Sequence, residues 1–257
     1  MIDPASPQPR ESFAPRSRGR RFSTAIAFCV LSALGATGLL LAQHWRHERL
    51  AVLLLSLDIN TIMQNASLTA YAKDQAKPLY AANCARCHGA DLKGNASLGA
   101  PNLIDRYWLF GDGSVFDIER TLLYGVRSGL SKSHDVTDMP AFGLTGRLSA
   151  AETRNLVQYL LQLKGLPHQP MAASEGRALY HDVGKANCGD CHGEDGRGNS
   201  NYGAPDLTVN AANDAGEARG LYEAIYSGQH RIMPGWIDVL SLEEIRALAI
   251  YVYLARK

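Results

Sequence analysis

Two five-residue units in this chain carry chemistry by type and spacing: Cys84-Ala85-Arg86-Cys87-His88 and Cys188-Gly189-Asp190-Cys191-His192. Two thiols three positions apart, with an imidazole directly after, suit covalent attachment of a porphyrin. The thiols add to the vinyl groups and the imidazole ligates the iron. A zinc ribbon would place its Cys-x-x-Cys knuckles about 15–20 residues apart, whereas Cys87 and Cys188 lie about a hundred positions apart. A thioredoxin-type redox pair calls for neither the adjacent histidine nor this context, which lacks a βαβ pattern. The units belong to a longer repeat. A shift of 104 positions lays residues 82–103 on 186–207 with 13 of 22 identical, including the closing Gly-Ala-Pro-x-Leu. Two covalently bound haems c are therefore expected, on Cys84 and Cys87 and on Cys188 and Cys191, with His88 and His192 as axial ligands.

An electron-transfer haem needs a sixth ligand, and thioether sulfur opposite imidazole favours ferrous iron. The chain has five methionines. Met1 starts it, Met63 precedes the first unit and Met171 falls in a linker. Met139 and Met233 are each followed by proline and stand between the haem loop and the last helix of their module. These are the candidate ligands, each for its own module. His134 and His230, five and three residues before them, are the rivals. Pro101 and Pro205 are candidate supports for the ligating imidazoles, since a backbone carbonyl near such a turn can accept their second N–H; the alternative is that each proline only shapes its loop. Two six-coordinate irons leave no open position for a substrate, so the chain is expected to conduct electrons and catalyse nothing alone. A dihaem peroxidase would need one haem that opens, and a haem-based sensor would need a signalling domain.

The elements that position these groups read as all-α, with no strand pattern of any length. Modules of fewer than a hundred residues have thin cores, and haem supplies buried apolar surface. The expected organisation is a disordered tail (1–21), a membrane anchor (22–43), an amphipathic connector (44–69), a first cytochrome module (70–165), a linker (166–172) and a second module (173–257). Residues 22–42 carry no charge, and 21 residues of helix span about 31 Å. Five arginines between Arg10 and Arg21 precede the run, which puts the N-terminus in the cytoplasm and the haem modules on the periplasmic side of a bacterial inner membrane. A cleaved signal peptide is the alternative, although this run exceeds the usual apolar region. Residues 50–57 are apolar but too short to span, and read as a helix on the membrane or against a partner. Pro78 reads as the first turn of a helix into Cys84, and Ser174 as the cap of a helix through Tyr180. Ser149 and Ser241 open capping boxes. The net charge of +1 is uneven. Residues 1–69 carry seven arginines against four acids, 70–165 eleven bases against nine acids, and 173–257 eight against twelve. No nucleic-acid partner is expected, and the acidic second module suits a basic redox partner.

With these residues in view, the chain resembles the membrane-anchored dihaem subunit III of cbb3-type cytochrome c oxidases, the FixP/CcoP family. The likeness rests on residues 83–103, on Tyr107-Trp108-Leu109-Phe110-Gly111, and on Tyr124-Gly125-Val126-Arg127-Ser128-Gly129 leading to Asp138-Met139-Pro140-Ala141-Phe142-Gly143. It implies one anchor, two tandem class I cytochrome c domains, and a subunit taking electrons from a soluble cytochrome c or a quinol-oxidising complex. The acceptor it implies is a haem-copper catalytic subunit, in a complex that also holds a monohaem subunit. A free-standing membrane-tethered shuttle is the alternative. The sequence departs from the family in lacking a paired-Trp segment before the anchor. Its second module has no counterpart of Tyr107-Trp108-Leu109-Phe110-Gly111, and Cys188 lies eight residues after Tyr180 where Cys84 lies four after Tyr80.

Overall fold

The structure, a computed structural model, describes residues 18–95, 98–105, 107–209 and 218–256. Most of the tail expected over residues 1–21 thus lies outside the described residues. Helix α1 (Arg18–Ser56) begins four residues before the apolar run does, because arginine sustains a helix as well as leucine. Within it Phe28–Ser56 is long and apolar enough to cross a membrane, with mean hydropathy 1.3. Its apolar side chains, among them Phe28, Leu31, Leu34 and Leu40, stand exposed.

Ala51 onward belongs to the compact body of the chain. The short apolar run at 50–57 is no separate surface helix. It forms the last turns of α1, and Leu54 is fully buried in the protein. Asp58 caps α2 (Ile59–Gln64), its carboxylate accepting from the Thr61 N–H. Asn65 then caps α3 (Ala66–Asn83) by accepting from Ser67 and Leu68. Pro78 therefore lies inside α3, not at its start. A good asparagine cap thirteen residues upstream nucleates the helix, and the single lost amide donor is tolerated within 18 residues.

Beyond the first cysteine pair, carried by the one-turn α4 (Ala85–His88), lie α5 (Val115–Tyr124) and α6 (Ala150–Leu163). The second half holds α7 (Pro170–His181), α8 (Cys188–His192), α9 (Ala218–Ser227) and α10 (Leu242–Ala255). Ser149 and Ser241 form the expected capping boxes with Glu152 and Glu244. Ser174 caps nothing. Helix α7 already starts at Pro170, where the ring preorganises the first turn, so the linker is shorter than its composition suggests. Among the described residues only isolated bridges accompany these helices, and no strand forms.

The packing order differs from the chain order. Helix α10, last in the second repeat, lies against α3 and α5 of the first. Tyr251 meets Tyr80 with ring centroids 5.6 Å apart, Arg246 Nε bonds Glu119 at 2.9 Å, and the Tyr71 hydroxyl donates to Glu243. Helix α6, last in the first repeat, instead packs on α7 and α9. There Gly176 of α7 sits so close to Asn155 that a Cβ would collide with its carbonyl. One cluster joins Phe142, Leu148, Leu156 and Tyr159 to Tyr180, Ala186 and Ile225. The contiguous modules expected at 70–165 and 173–257 are sequence repeats. The bundles that bury apolar surface are composite, each taking its last helix from the other repeat. The reason lies in the connections: residues 164–169 lead α6 straight into α7, so those two neighbours pair as an antiparallel hairpin.

Candidate haem-binding sites

Both sites grow from the same backbone. Helix α3 ends at Cys84, whose amide still bonds the Tyr80 carbonyl, and α4 turns Cys87 and His88 onto the loop that follows. The loop is closed by Gly94 N to His88 O at 2.8 Å, by mutual bonds between Asn95 and Ala100, and by Leu103 N to Leu92 O at 2.8 Å. The second site repeats it with Gly198 to His192 at 2.8 Å, Asn199 with Ala204, and Leu207 to Gly196 at 2.7 Å. The four extra residues before Cys188 are taken up in a turn. Lys185 and Asn187 both bond back to the Asp182 carbonyl, and Asn187 adopts φ 45° to re-aim the chain. Asparagine tolerates that left-handed conformation better than most residues.

The insertion leaves the loop's tyrosine contact intact. The Tyr80 hydroxyl donates to Gly89 O at 2.7 Å, and the Tyr180 hydroxyl to Gly193 O at 2.8 Å. Each tyrosine thus tethers the residue after the motif histidine to the preceding helix. In the sequence both read only as helix residues, and the signal available there was a tyrosine near the end of the helix ahead of each Cys-x-x-Cys-His unit.

Each histidine holds Nδ1 against a proline carbonyl, His88 to Pro101 at 3.2 Å and His192 to Pro205 at 3.0 Å. A carbonyl can only accept, so Nδ1 carries the proton and Nε2 keeps its lone pair for a metal. Burial pushes both imidazoles below their ordinary pKa and so favours the neutral ligating form, while the bond to the proline carbonyl works the other way and is the smaller effect. Burial also raises the Cys84 thiol to about 11 and the Cys188 thiol to about 12. All four cysteines remain free of one another.

The methionines follow the exchanged helices. Met139 packs against the cluster that includes Tyr180 and Cys188, and its backbone pairs with Gln229 at 3.1 and 2.9 Å. Met233 pairs with Val126 at 2.9 and 3.0 Å, directly after α5. Trp236 N reaches the Leu122 carbonyl at 2.9 Å. Chain order would assign each methionine to its own repeat. The packing brings Met139 to the second cysteine pair's bundle, and Met233 to the bundle of α3, α5 and α10. The rival histidines are otherwise engaged. His134 Nε2 meets Thr121 Oγ1 at 3.2 Å and its ring stacks on Phe110 at 4.1 Å, while His230 Nδ1 pairs with Asp138 at 2.6 Å.

The donor set fits a porphyrin and not a bare ion. No group of three or more His, Cys, Asp or Glu among the described residues could hold a metal by itself. Each site offers two thiols for covalent bonds and one oriented imidazole. The buried Trp108 Nε1 has no hydrogen-bond partner among the described residues, and Arg256 lies 5.3 Å over its ring. An open donor beside a cation matches a porphyrin carboxylate. A family model described as cytochrome c oxidase, cbb3-type, subunit III matches residues 72–160 and 171–252. The chain belongs to this family. Relatives named as cbb3-type cytochrome c oxidase subunits include CcoP of Cereibacter sphaeroides, 33% identical over 78% of this chain and 67% of the relative. FixP of Bradyrhizobium sp. is 36% identical over 81% and 69%, and CcoP of Rhodobacter capsulatus 33% over 78% and 68%. As a cbb3-type subunit III, the chain is an electron-transfer cytochrome that carries haem c covalently, and α1 supplies a helix of anchoring length.

Proposed function

We propose that this subunit III holds two haems c and relays electrons from a soluble cytochrome c or a quinol-oxidising complex to the haem-copper catalytic subunit of its oxidase, beside a monohaem subunit. Its N-terminus is cytoplasmic and its haem-bearing body periplasmic. Cys84 and Cys87 hold one haem and Cys188 and Cys191 the other, with His88 and His192 as the first axial ligands. The sixth ligands are crossed with respect to the sequence repeat: Met233 serves the His88 site and Met139 the His192 site. The single observation that carries this reading is the exchange of α6 and α10, which moves each Met-Pro loop into the opposite repeat's bundle.

Bound haem supplies a one-electron couple. The chain's own residues set its terms. The proline carbonyls fix each imidazole and raise its basicity. The thioether sulfurs favour the ferrous state and so keep the potential high. Helices α6 and α10 each complete one of the two bundles.

The test is redox titration of Met139→His and Met233→His, each also made in a Cys84→Ser/Cys87→Ser background that leaves one attachment site. Exchanging soft sulfur for nitrogen stabilises ferric iron, so each substitution should lower one potential only. In the single-site background Met139→His should lower the potential of the remaining haem and Met233→His should not. The reverse pattern would restore pairing within each repeat.

A further inference from the structure

Arg127 belongs to neither attachment site, yet its side chain gathers the backbone of both methionine loops. It follows α5 within the Tyr124-Gly125-Val126-Arg127 segment, and its backbone takes φ 51°, a left-handed conformation costly for a residue with a long side chain. The guanidinium is largely buried, its side chain 15% exposed. Nη1 donates to the Arg231 carbonyl at 3.0 Å, Nη2 to the Thr137 carbonyl at 2.8 Å, and Nε to the Val136 carbonyl at 3.2 Å. Nε also faces Asp138 Oδ1 at 3.0 Å, and the other oxygen of that carboxylate pairs with His230 Nδ1 at 2.6 Å. Residues 136–138 lead into Met139, and residues 230 and 231 lead into Met233. The neighbouring backbone completes the lacing, with Arg127 N bonded to His134 O at 3.0 Å and Val126 paired to Met233.

We propose that Arg127 is a positioning residue that holds the two methionine loops against each other, so that one side chain governs the axial sulfur bonds of both haems. The inference rests on the ligand assignment above. A planar fork can donate to three carbonyls and a carboxylate in one geometry, and no other side chain presents that set of donors. A loop that lost these bonds would hold its sulfur less firmly toward a bound haem, and the sulfur bond would weaken. Because both loops lean on the same group, the effect is shared, unlike that of any single ligand substitution. The left-handed backbone at Arg127 fits this role, since the strain persists where surrounding bonds hold it.

The experiment compares Arg127→Gln and Arg127→Lys with Met139→His and Met233→His in the full-length haem-loaded protein. Midpoint potentials, the ferric sulfur-to-iron charge-transfer absorption and covalent haem content are read for each. Arg127→Gln should lower both potentials, each by about tenfold in equilibrium or roughly 59 mV for a one-electron couple, and weaken the sulfur absorption at both haems with haem content unchanged. Arg127→Lys, which keeps the charge but loses the fork, should shift both in the same direction. It decides the matter if the glutamine variant fails to assemble. Potentials that stay in place, or a shift at one haem only, would overturn the proposal while the methionine variants still move their own haems. If the methionine variants move neither potential, the ligand assignment fails and the role of Arg127 falls with it.

Discussion

His88 and His192 owe their readiness for a metal to backbone atoms thirteen residues on, the carbonyls of Pro101 and Pro205, and their loops to the hydroxyls of Tyr80 and Tyr180. Each group is neutral, so none of this scaffolding titrates near neutrality. The charged exception lies at the start of α6. Glu152 closes the capping box with Ser149 and accepts from Lys185 Nζ at 2.7 Å. The Lys185 bond, followed by the bonds to Ser149, holds its carboxyl well down, to about 2. A carboxylate depressed on folding contributes stability that is complete above its ordinary value and disappears as pH falls through the folded one. Glu152→Gln should therefore be less stable than the parent at neutral pH, with the difference shrinking below about pH 4.5 and vanishing near pH 2. Denaturant unfolding across that interval measures it, and a pH-independent difference would mean that packing, not charge, is what the glutamate contributes.

At the scale of elements, the exchange of α6 and α10 decides which parts of the chain depend on one another. Ile245, Leu248, Ala249, Ile250 and Val252 of α10 are buried, and the helix packs on α3 and α5, upstream of Cys84 and Met139. Uncovering such a face costs each large apolar side chain roughly 1.5–3 kcal/mol. A chain ending at Leu240 should therefore lose haem from the Cys84 site and keep it at the Cys188 site, whose bundle consists of α6, α7 and α9. Proteolysis between the two motifs followed by haem staining of the fragments reads this directly. Modules contiguous in sequence require the opposite loss. The same reasoning makes residues 173–257 alone an incomplete folding unit, since α7 would be left without α6.

At the scale of the whole molecule, α1 carries two kinds of surface in one helix. From Phe28 its side chains are exposed and apolar, while near its end Leu54 is buried and the Leu54 carbonyl accepts from Arg246 Nη1 at 3.3 Å. A bilayer is the solvent such exposed apolar residues suit. Five arginines stand before the run, and Arg46 and Arg49 follow it closely. The proposed orientation, with the C-terminal body outside, follows the positive-inside rule. A periplasmic reporter fused after Lys257 should be active and a cytoplasmic one inactive, and the mature chain should retain its arginine-rich start. A mature N-terminus between Ala36 and His44 would identify the segment as a cleaved signal.

Local chemistry was legible from the sequence alone. Cys-x-x-Cys-His, the two capping boxes, the uncharged run and the Gly-Ala-Pro-x-Leu loops each depend on residues close in sequence, and the structure builds them as their spacing predicts. Helix starts were less legible at Pro78 and Ser174, because a cap competes with every other cap nearby and Asn65 and Pro170 prevail. Helix α9 went unread although Leu221 and Ile225 mark one face of it. What tertiary structure alone decided is which repeat each last helix completes. The two repeats offer α6 and α10 similar apolar surfaces, so periodicity cannot choose between them. Only the short connection from α6 to α7, the close approach at Gly176 and the lacing of both methionine loops through Arg127 select the exchanged arrangement.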